Sequence, residues 1–166
     1  MTRSCMGRVV LDTSVVAKSV LAPPRYLERD IYKREIETRQ KIRVILSLLE
    51  KMNYKVFFPK AGIIEVASVL KRSGMPREHV LKVVESLNNT FIVIDEDVVY
   101  DKALEVALTT APSGFDTYFL ALALLTDSLL VTDDKGMANQ ARRLRLNVIF
   151  VRETSTEEIR AKLLGQ

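Results

Sequence analysis

Five carboxylates lie beside apolar segments, at positions where a charged group does not favour folding. They are Asp12, Glu65, Asp116, Asp133 and Asp134. Asp12 directly follows the apolar run Val9–Leu11, and Asp133 directly follows Leu129–Thr132. Glu65 and Asp116 each lie near the start of an apolar, helix-like segment. Burying an ionised carboxylate costs free energy unless the group is paired or binds a metal. The pattern therefore indicates a shared site.

The chemistry expected of such a site is that of a hard metal ion. Several carboxylates brought together repel, so at neutral pH one takes up a proton or a cation neutralises the group. Oxygen ligands without histidine or cysteine favour Mg²⁺ or Mn²⁺, and we expect one or two ions. The one histidine, His79, lies in a polar helix start and is expected at the surface. No basic residue is expected in a similar position to the acids.

Each acid also has a structural interpretation of its own. Asp12 could cap the first short helix, and Asp133 or Asp134 could cap a later one. Asp116 could be a first-turn acid that the helix dipole favours, and Glu65 could pair with a nearby Lys or Arg. These interpretations explain the residues one at a time and leave their shared pattern unexplained.

Short β-branched runs alternate along the chain with longer segments of helical periodicity. Strands are predicted at residues 8–11, 56–58, 91–94, 129–132 and 148–151. Helices are predicted at residues 13–21, 61–72, 76–87, 98–109, 115–125, 137–144 and 154–164. Residues 25–52 are predicted to form one long helix or two in series. The last helix is expected to begin with a capping box of Thr154 and Glu157.

Five apolar strands separated by helices predict an α/β fold with a parallel sheet covered on both faces. We expect one domain over residues 1–166. In open parallel sheets, ligands bind in the crevice outside the carboxyl ends of the strands. Two of the predicted strands deliver acids to that edge.

Composition gives weaker indications. The 25 Lys and Arg against 21 Asp and Glu give a net charge of +4, which is compatible with nucleic acid without requiring it. The single cysteine, Cys5, excludes an internal disulfide, so a reducing, cytoplasmic compartment is expected. The N-terminal apolar run is interpreted as a strand rather than a signal peptide, and no membrane-spanning segment is expected. Aromatic residues such as Phe119 and Phe150 are expected in the core, not as base-stacking platforms.

Two basic groups are candidates for binding a phosphate backbone, although a solvated helix face explains either equally well. The first group extends over residues 25–43 and the second over residues 135–145. The residues selected as nucleic-acid-binding candidates are Arg25, Arg29, Lys33, Arg34, Lys135, Arg142 and Arg143.

Four segments together resemble the PIN-domain proteins, and in particular the small VapC-type toxin ribonucleases. They are VVLDTS (9–14), IIEVASVL (63–70), GFDTYFLALAL (114–124) and LLVTDDKGMANQA (129–141). Each segment alone is weak, but all four in order are fairly specific. The charged segment 25–40 is longer than a compact toxin requires. It could be a substrate clamp, a dimer contact or an antitoxin-binding surface.

The resemblance implies a PIN-like three-layer fold with a five-stranded parallel sheet in strand order 3-2-1-4-5. Asp12, Glu65, Asp116 and Asp134 carry over as the acids, with Asp133 as the reserve for the fourth position. Small polar residues that orient an acid carry over as Ser14 and Thr132. The implied activity is Mg²⁺- or Mn²⁺-dependent cleavage of single-stranded RNA, with an antitoxin and a homodimer as partners.

Two other functions remain open at this point. One is a PIN-like fold used as a nucleic-acid- or protein-binding module with little or no catalysis. The other is an α/β phosphatase or phosphotransfer domain, because an acidic sheet edge also suits aspartyl-phosphate chemistry. That chemistry needs a lysine on a neighbouring strand end, and Lys135 is the only candidate in the sequence pattern.

Overall fold

The computed structural model describes residues 7–165, so Cys5 and the start of the chain lie outside the described residues. The strands are β1 (Arg8–Leu11), β2 (Lys55–Pro59), β3 (Ile92–Ile94), β4 (Leu129–Thr132) and β5 (Val148–Phe150). They form one all-parallel sheet in the order β3-β2-β1-β4-β5. The predicted fold class and strand order are confirmed.

Within the described residues, eight helices flank the sheet. They are α1 (Thr13–Val20), α2 (Arg29–Lys51), α3 (Lys60–Arg72), α4 (Arg77–Thr90), α5 (Glu96–Thr110), α6 (Gly114–Thr126), α7 (Lys135–Arg143) and α8 (Thr156–Leu164). Helix α6 packs on β1, β2 and β4 and against α5 and α7, whereas α1 contacts β4, α2 and α3. Among residues 7–165, none of the helices has both the length and the apolar character needed to cross a membrane.

The central strands are buried because helices cover both faces of the sheet. Val9, Val10 and Leu11 of β1 are fully buried, and every residue of β4 is buried as well. Near-continuous apolar runs of this kind are what a parallel sheet requires. Fully burying one such side chain contributes about 1.5–3 kcal/mol. The core therefore fixes the two strands whose ends carry Asp12 and the Asp133–Asp134 pair.

The predicted and observed helix starts differ by up to four residues, with the largest difference at α2. The long helix is single, but it begins at Arg29, and residues 25–27 form a turn and a bend. The capping box of α8 consists of Ser155 and Glu158, so the predicted pair of Thr154 and Glu157 is wrong. The Thr154 hydroxyl instead donates to the carbonyl of Phe150 at 2.7 Å. That bond ties the residue to the end of β5.

Helix α3 approaches the core closely through a glycine. A Cβ atom on Gly62 would lie 2.6 Å from the ring of Phe58 and 2.9 Å from the ring of Phe119. These two rings form an edge-on pair with centroids 5.4 Å apart. Only a residue without a side chain fits this contact, and Glu65 lies three residues further along the same helix.

Candidate active site

A pocket of about 780 Å³ lies at the carboxyl ends of β1 and β4. Its lining includes four of the predicted acids, Asp12, Glu65, Asp116 and Asp134. Strands β1 and β4 are neighbours in the sheet, and the direction of strand order reverses between them. A ligand crevice is expected at this switch point. The structure thus brings four predicted acids from distant segments to one pocket.

Asp12 is the most tightly held of these acids. It is 5% exposed, and its Oδ2 accepts hydrogen bonds from Ser14 Oγ and Thr132 Oγ1, each at 2.7 Å. The residue occupies the N-cap position of α1, but its side chain makes no capping bond. Both hydroxyls hold the same oxygen, so Oδ1 accepts no hydrogen bond from another side chain among the described residues.

Glu65 and Asp116 are held in a similar way, each through one oxygen. Thr13 Oγ1 donates to Glu65 Oε2 at 2.7 Å, and Ser113 Oγ donates to Asp116 Oδ2 at 2.6 Å. Among residues 7–165, no Lys or Arg forms an ion pair with either acid. The suggested pairing of Glu65 with a cation is therefore absent from this part of the chain.

The pKa values of two acids reflect burial and mutual repulsion. The pKa of Asp12 is raised to about 6: burial is the main cause, the hydrogen bonds from Ser14 and Thr132 oppose it, and the charges of Asp116 and Glu65 add to the rise. Burial also raises the pKa of Asp116, with the Ser113 hydrogen bond opposing and the charge of Asp134 adding to the rise. A cation placed among these acids would relieve the repulsion.

The two adjacent aspartates at the end of β4 have different surroundings. Asp134 is exposed, lines the pocket and caps α7 by accepting a bond from the backbone N–H of Met137 at 2.7 Å. The side chain of Asp133 is 0% exposed and pairs with Lys18 Nζ at 2.5 Å and Arg152 Nη2 at 2.9 Å. Of the pair, only Asp134 lines the pocket.

Glu35 completes what we term the ion-pair cluster, formed by Lys18, Glu35, Asp133 and Arg152. Its carboxylate lies 2.6 Å from Lys18 Nζ and 3.1 Å from Arg152 Nη2. The expectation that no basic residue accompanies the acids is therefore wrong. A signal for one of the cations was present in the sequence, because Arg152 follows the last strand as closely as the acids follow theirs.

Three cations line the pocket, and none of them was among the predicted nucleic-acid-binding residues. They are Lys18, Arg39 and Arg72. The seven predicted residues are exposed and lie outside the lining of this pocket. A signal for Lys18 was available, since it lies one helical turn after Ser14 and therefore on the same face of α1.

The donor chemistry of the pocket fits a hard divalent cation. Besides the ion-paired Glu35, its lining has four acids that offer carboxylate oxygens, and Asp12, Glu65 and Asp116 each hold one oxygen in a side-chain hydrogen bond. Mg²⁺ and Mn²⁺ prefer such ligands. Within the described range 7–165, however, no three acidic, histidine or cysteine side chains converge as a metal-binding group. The carboxylate oxygens are therefore ligands of the type that such an ion prefers, but the acids lie around the pocket and do not gather at one point.

The sheet and its pocket define an α/β domain with a carboxylate-lined crevice at the switch point of a parallel sheet. A family model described as the PIN domain matches residues 9–143, and the chain belongs to this family. PIN domains are commonly metal-dependent nucleases, which supports a nuclease in general. None of the curated proteins compared with the chain gives a match. The matched region includes all four pocket acids and ends before β5 and Arg152.

Proposed function

We propose that this protein is an endoribonuclease that hydrolyses phosphodiester bonds of single-stranded RNA with the help of Mg²⁺ or Mn²⁺. We further propose that it acts in the cytoplasm as the toxin of a toxin–antitoxin pair, with residues 1–166 as one domain. The observation that carries the nuclease proposal is the position of Asp12. It is buried, fixed by two hydroxyls and close enough to Asp116 and Glu65 for their charges to raise its pKa.

The chain's own residues would hold the ion and position it for the substrate. Asp12, Glu65, Asp116 and Asp134 would bind the metal, and Ser14 and Thr132 keep Asp12 in one orientation. When bound, such an ion supplies Lewis-acid activation of a water molecule and of the phosphoryl group. Asp133 has no place in this set, since Lys18 and Arg152 already neutralise it.

Cleavage of labelled RNA by the purified protein tests the proposal. Cleavage should require Mn²⁺ or Mg²⁺, and Asp12→Asn and Asp116→Asn should each lower the rate by about 100-fold or more, which is about 2.7 kcal/mol of transition-state free energy. Asp101→Asn, a change of an exposed carboxylate on α5, is the matched control and should cleave like the parent. If folded Asp12→Asn and Asp116→Asn proteins cleave at the parent rate, the pocket is not the active site.

A second candidate function is a binding module without catalysis. The observation that favours it is that no three acidic, histidine or cysteine side chains among residues 7–165 converge on one point. Calorimetry with Mn²⁺ and Mg²⁺ separates the two functions. Binding that is lost in Asp12→Asn supports the nuclease, whereas RNA or protein binding without any metal binding supports the module.

The proposed partners follow from charge. A small antitoxin would place a basic residue among the four pocket acids. RNA would be bound by the exposed residues of the two basic groups, which would contact its phosphates with little sequence information. These residues are Arg25, Arg29, Lys33, Arg34, Lys135, Arg142 and Arg143. A homodimer is proposed from the resemblance alone. Light scattering at several protein concentrations tests the dimer, and a monomer at every concentration would exclude it.

A further inference from the structure

By chemistry, the lining of the candidate active-site pocket has a second half, which contains no acid. This half, which we term the apolar half, is lined by residues of α1, the following turn and α3. The residues are Ala17, Leu21, Pro23, Pro24, Tyr26 and Val69. The binding of a metal ion or a phosphate group does not require apolar residues of this kind. The apolar half therefore indicates that the pocket receives an apolar part of its ligand as well.

Tyr26 is the largest side chain of the apolar half and the most exposed. Its exposed fraction is 87%, and it lies outside the hydrophobic core. A tyrosine ring gains free energy from burial or from stacking, so leaving it in water is unfavourable for folding alone. The irregular segment that carries it contains Pro23 and Pro24, whose rings restrict the backbone and so limit the entropy lost when a ligand binds.

Two arginines line the same pocket, Arg39 from α2 and Arg72 from the last turn of α3. The Nε of Arg39 is buried and has no hydrogen-bond partner among the described residues. Leaving this donor unpaired costs free energy, but the atom is closed to solvent, so a ligand would have to bind the terminal nitrogens of Arg39. Guanidinium groups bind phosphate oxygens through paired N–H donors. The pocket thus combines acids, phosphate-binding cations and an exposed aromatic ring.

We propose that the apolar half of the pocket binds one unpaired nucleobase of the substrate through stacking on Tyr26, while Arg39 and Arg72 bind the neighbouring phosphates. The inference rests on the proposed function, since it requires that the pocket acts on nucleic acid. A base within a duplex is paired and stacked on its neighbours, and taking it out of the stack costs a few kcal/mol. The apolar half therefore selects single strands without reading their sequence.

Binding measurements in EDTA test this inference without cleavage. The probes are a labelled oligoadenylate and an oligomer of equal length in which the sugar–phosphate chain carries no bases. The parent protein should bind the oligoadenylate about fivefold to 100-fold more tightly, the range expected for one base–aromatic stack. Tyr26→Ala should remove that preference, and Tyr26→Phe should retain it because the ring remains.

Tyr100→Ala is the matched control, because Tyr100 is an exposed tyrosine (57%) on α5 that lines a different groove. This variant should keep the preference for the oligomer with bases. If the parent binds both oligomers equally, or if Tyr26→Ala keeps the preference, the inference is wrong while the proposed nuclease function stands. If the parent binds neither oligomer, and Mn²⁺ gives no cleavage, the proposed function itself has failed.

Discussion

Two groups of carboxylates lie at the same edge of the sheet, and only one of them is neutralised. The ion-pair cluster brings Asp133 and Glu35 together with Lys18 and Arg152, so two acids meet two cations. The four pocket acids are held by hydroxyls and a backbone N–H instead, and none of them forms an ion pair within residues 7–165. Hydroxyls fix a carboxylate without neutralising it. The charges of the cluster therefore balance, although Lys18 and Glu35 also line the pocket, whereas the four pocket acids retain negative charge for a ligand.

The largest effect on stability is expected from breaking the ion-pair cluster. Asp133→Asn leaves Lys18 and Arg152 without their most buried partner. Removing one member of a fully buried ion pair costs about 3–5 kcal/mol. Both cations are about 30% exposed, so we expect a loss near the lower end, about 3 kcal/mol. Urea unfolding measures it, with the capping Asp134→Asn as the comparison.

Asp134→Asn replaces only the neighbouring N-cap acid and should cost about 1 kcal/mol or less, because asparagine also caps helices well. Equal losses for the two variants would contradict the division between cluster and pocket.

Asp12→Asn is expected to stabilise the metal-free protein, whereas Asp133→Asn and Asp134→Asn destabilise it. The pKa of Asp12 is raised from 3.8 to about 6, so folding holds its proton more tightly, and the stability that this provides is lost as the pH rises from about 4 to about 6. At pH 7 the ionised group therefore costs up to about 3 kcal/mol. Asp12→Asn should be more stable than the parent at pH 7 in EDTA, and the difference should disappear near pH 4.

Denaturant unfolding across pH 4–8 measures this difference. A constant difference over the whole range would show that the variant acts through hydrogen bonding rather than through charge. Ser14→Ala is a useful control, since it removes one donor to Asp12 while keeping the carboxylate.

Adding metal is expected to change the stability less than Asp133→Asn or Asp12→Asn does. At a Mn²⁺ concentration ten times the dissociation constant, binding to the folded state alone stabilises it by about 1.4 kcal/mol. The parent and Asp133→Asn should both gain this stability, because Asp133 lies outside the pocket lining. Asp116→Asn should not gain it. Thermal unfolding with and without Mn²⁺ provides the measurement, and an equal shift in all three proteins would indicate binding elsewhere.

The sequence predicted the strands and the strand-end acids because both depend on local pattern, whereas Glu65 and Asp116 were predicted from their apolar neighbours in helix-like segments. Apolar runs mark buried strands, and an acid directly after such a run lies at the sheet edge whatever the rest of the chain does. Residues near Asp133 show the limit of this rule. Successive side chains of an extended segment point to opposite sides, so one member of the pair faces the pocket and the other faces away. Local pattern alone does not say which.

Local pattern could not predict which residues, far apart in the chain, form ion pairs with each other. Asp133 and its partner Lys18 are 115 residues apart, and only the pairing of β1 with β4 brings their segments together. The capping box failed for a different reason. Both Thr154 and Ser155 precede a glutamate by three residues, and the structure selects Ser155 because the Thr154 hydroxyl is bonded to the end of β5.

The bond between Thr132 and Asp12 spans 120 residues of chain, and this separation sets when the pocket can exist during synthesis. Translation delivers Asp12 120 residues before its second hydroxyl donor, Thr132, and the neighbouring Asp134 follows two residues later. Pairings between distant strands also form late in folding, because the loop between them must first close. Under the proposed function, a ribosome making this protein is exposed to a chain that is unable to cut RNA until the segment with Thr132 and Asp134 has been made and has folded.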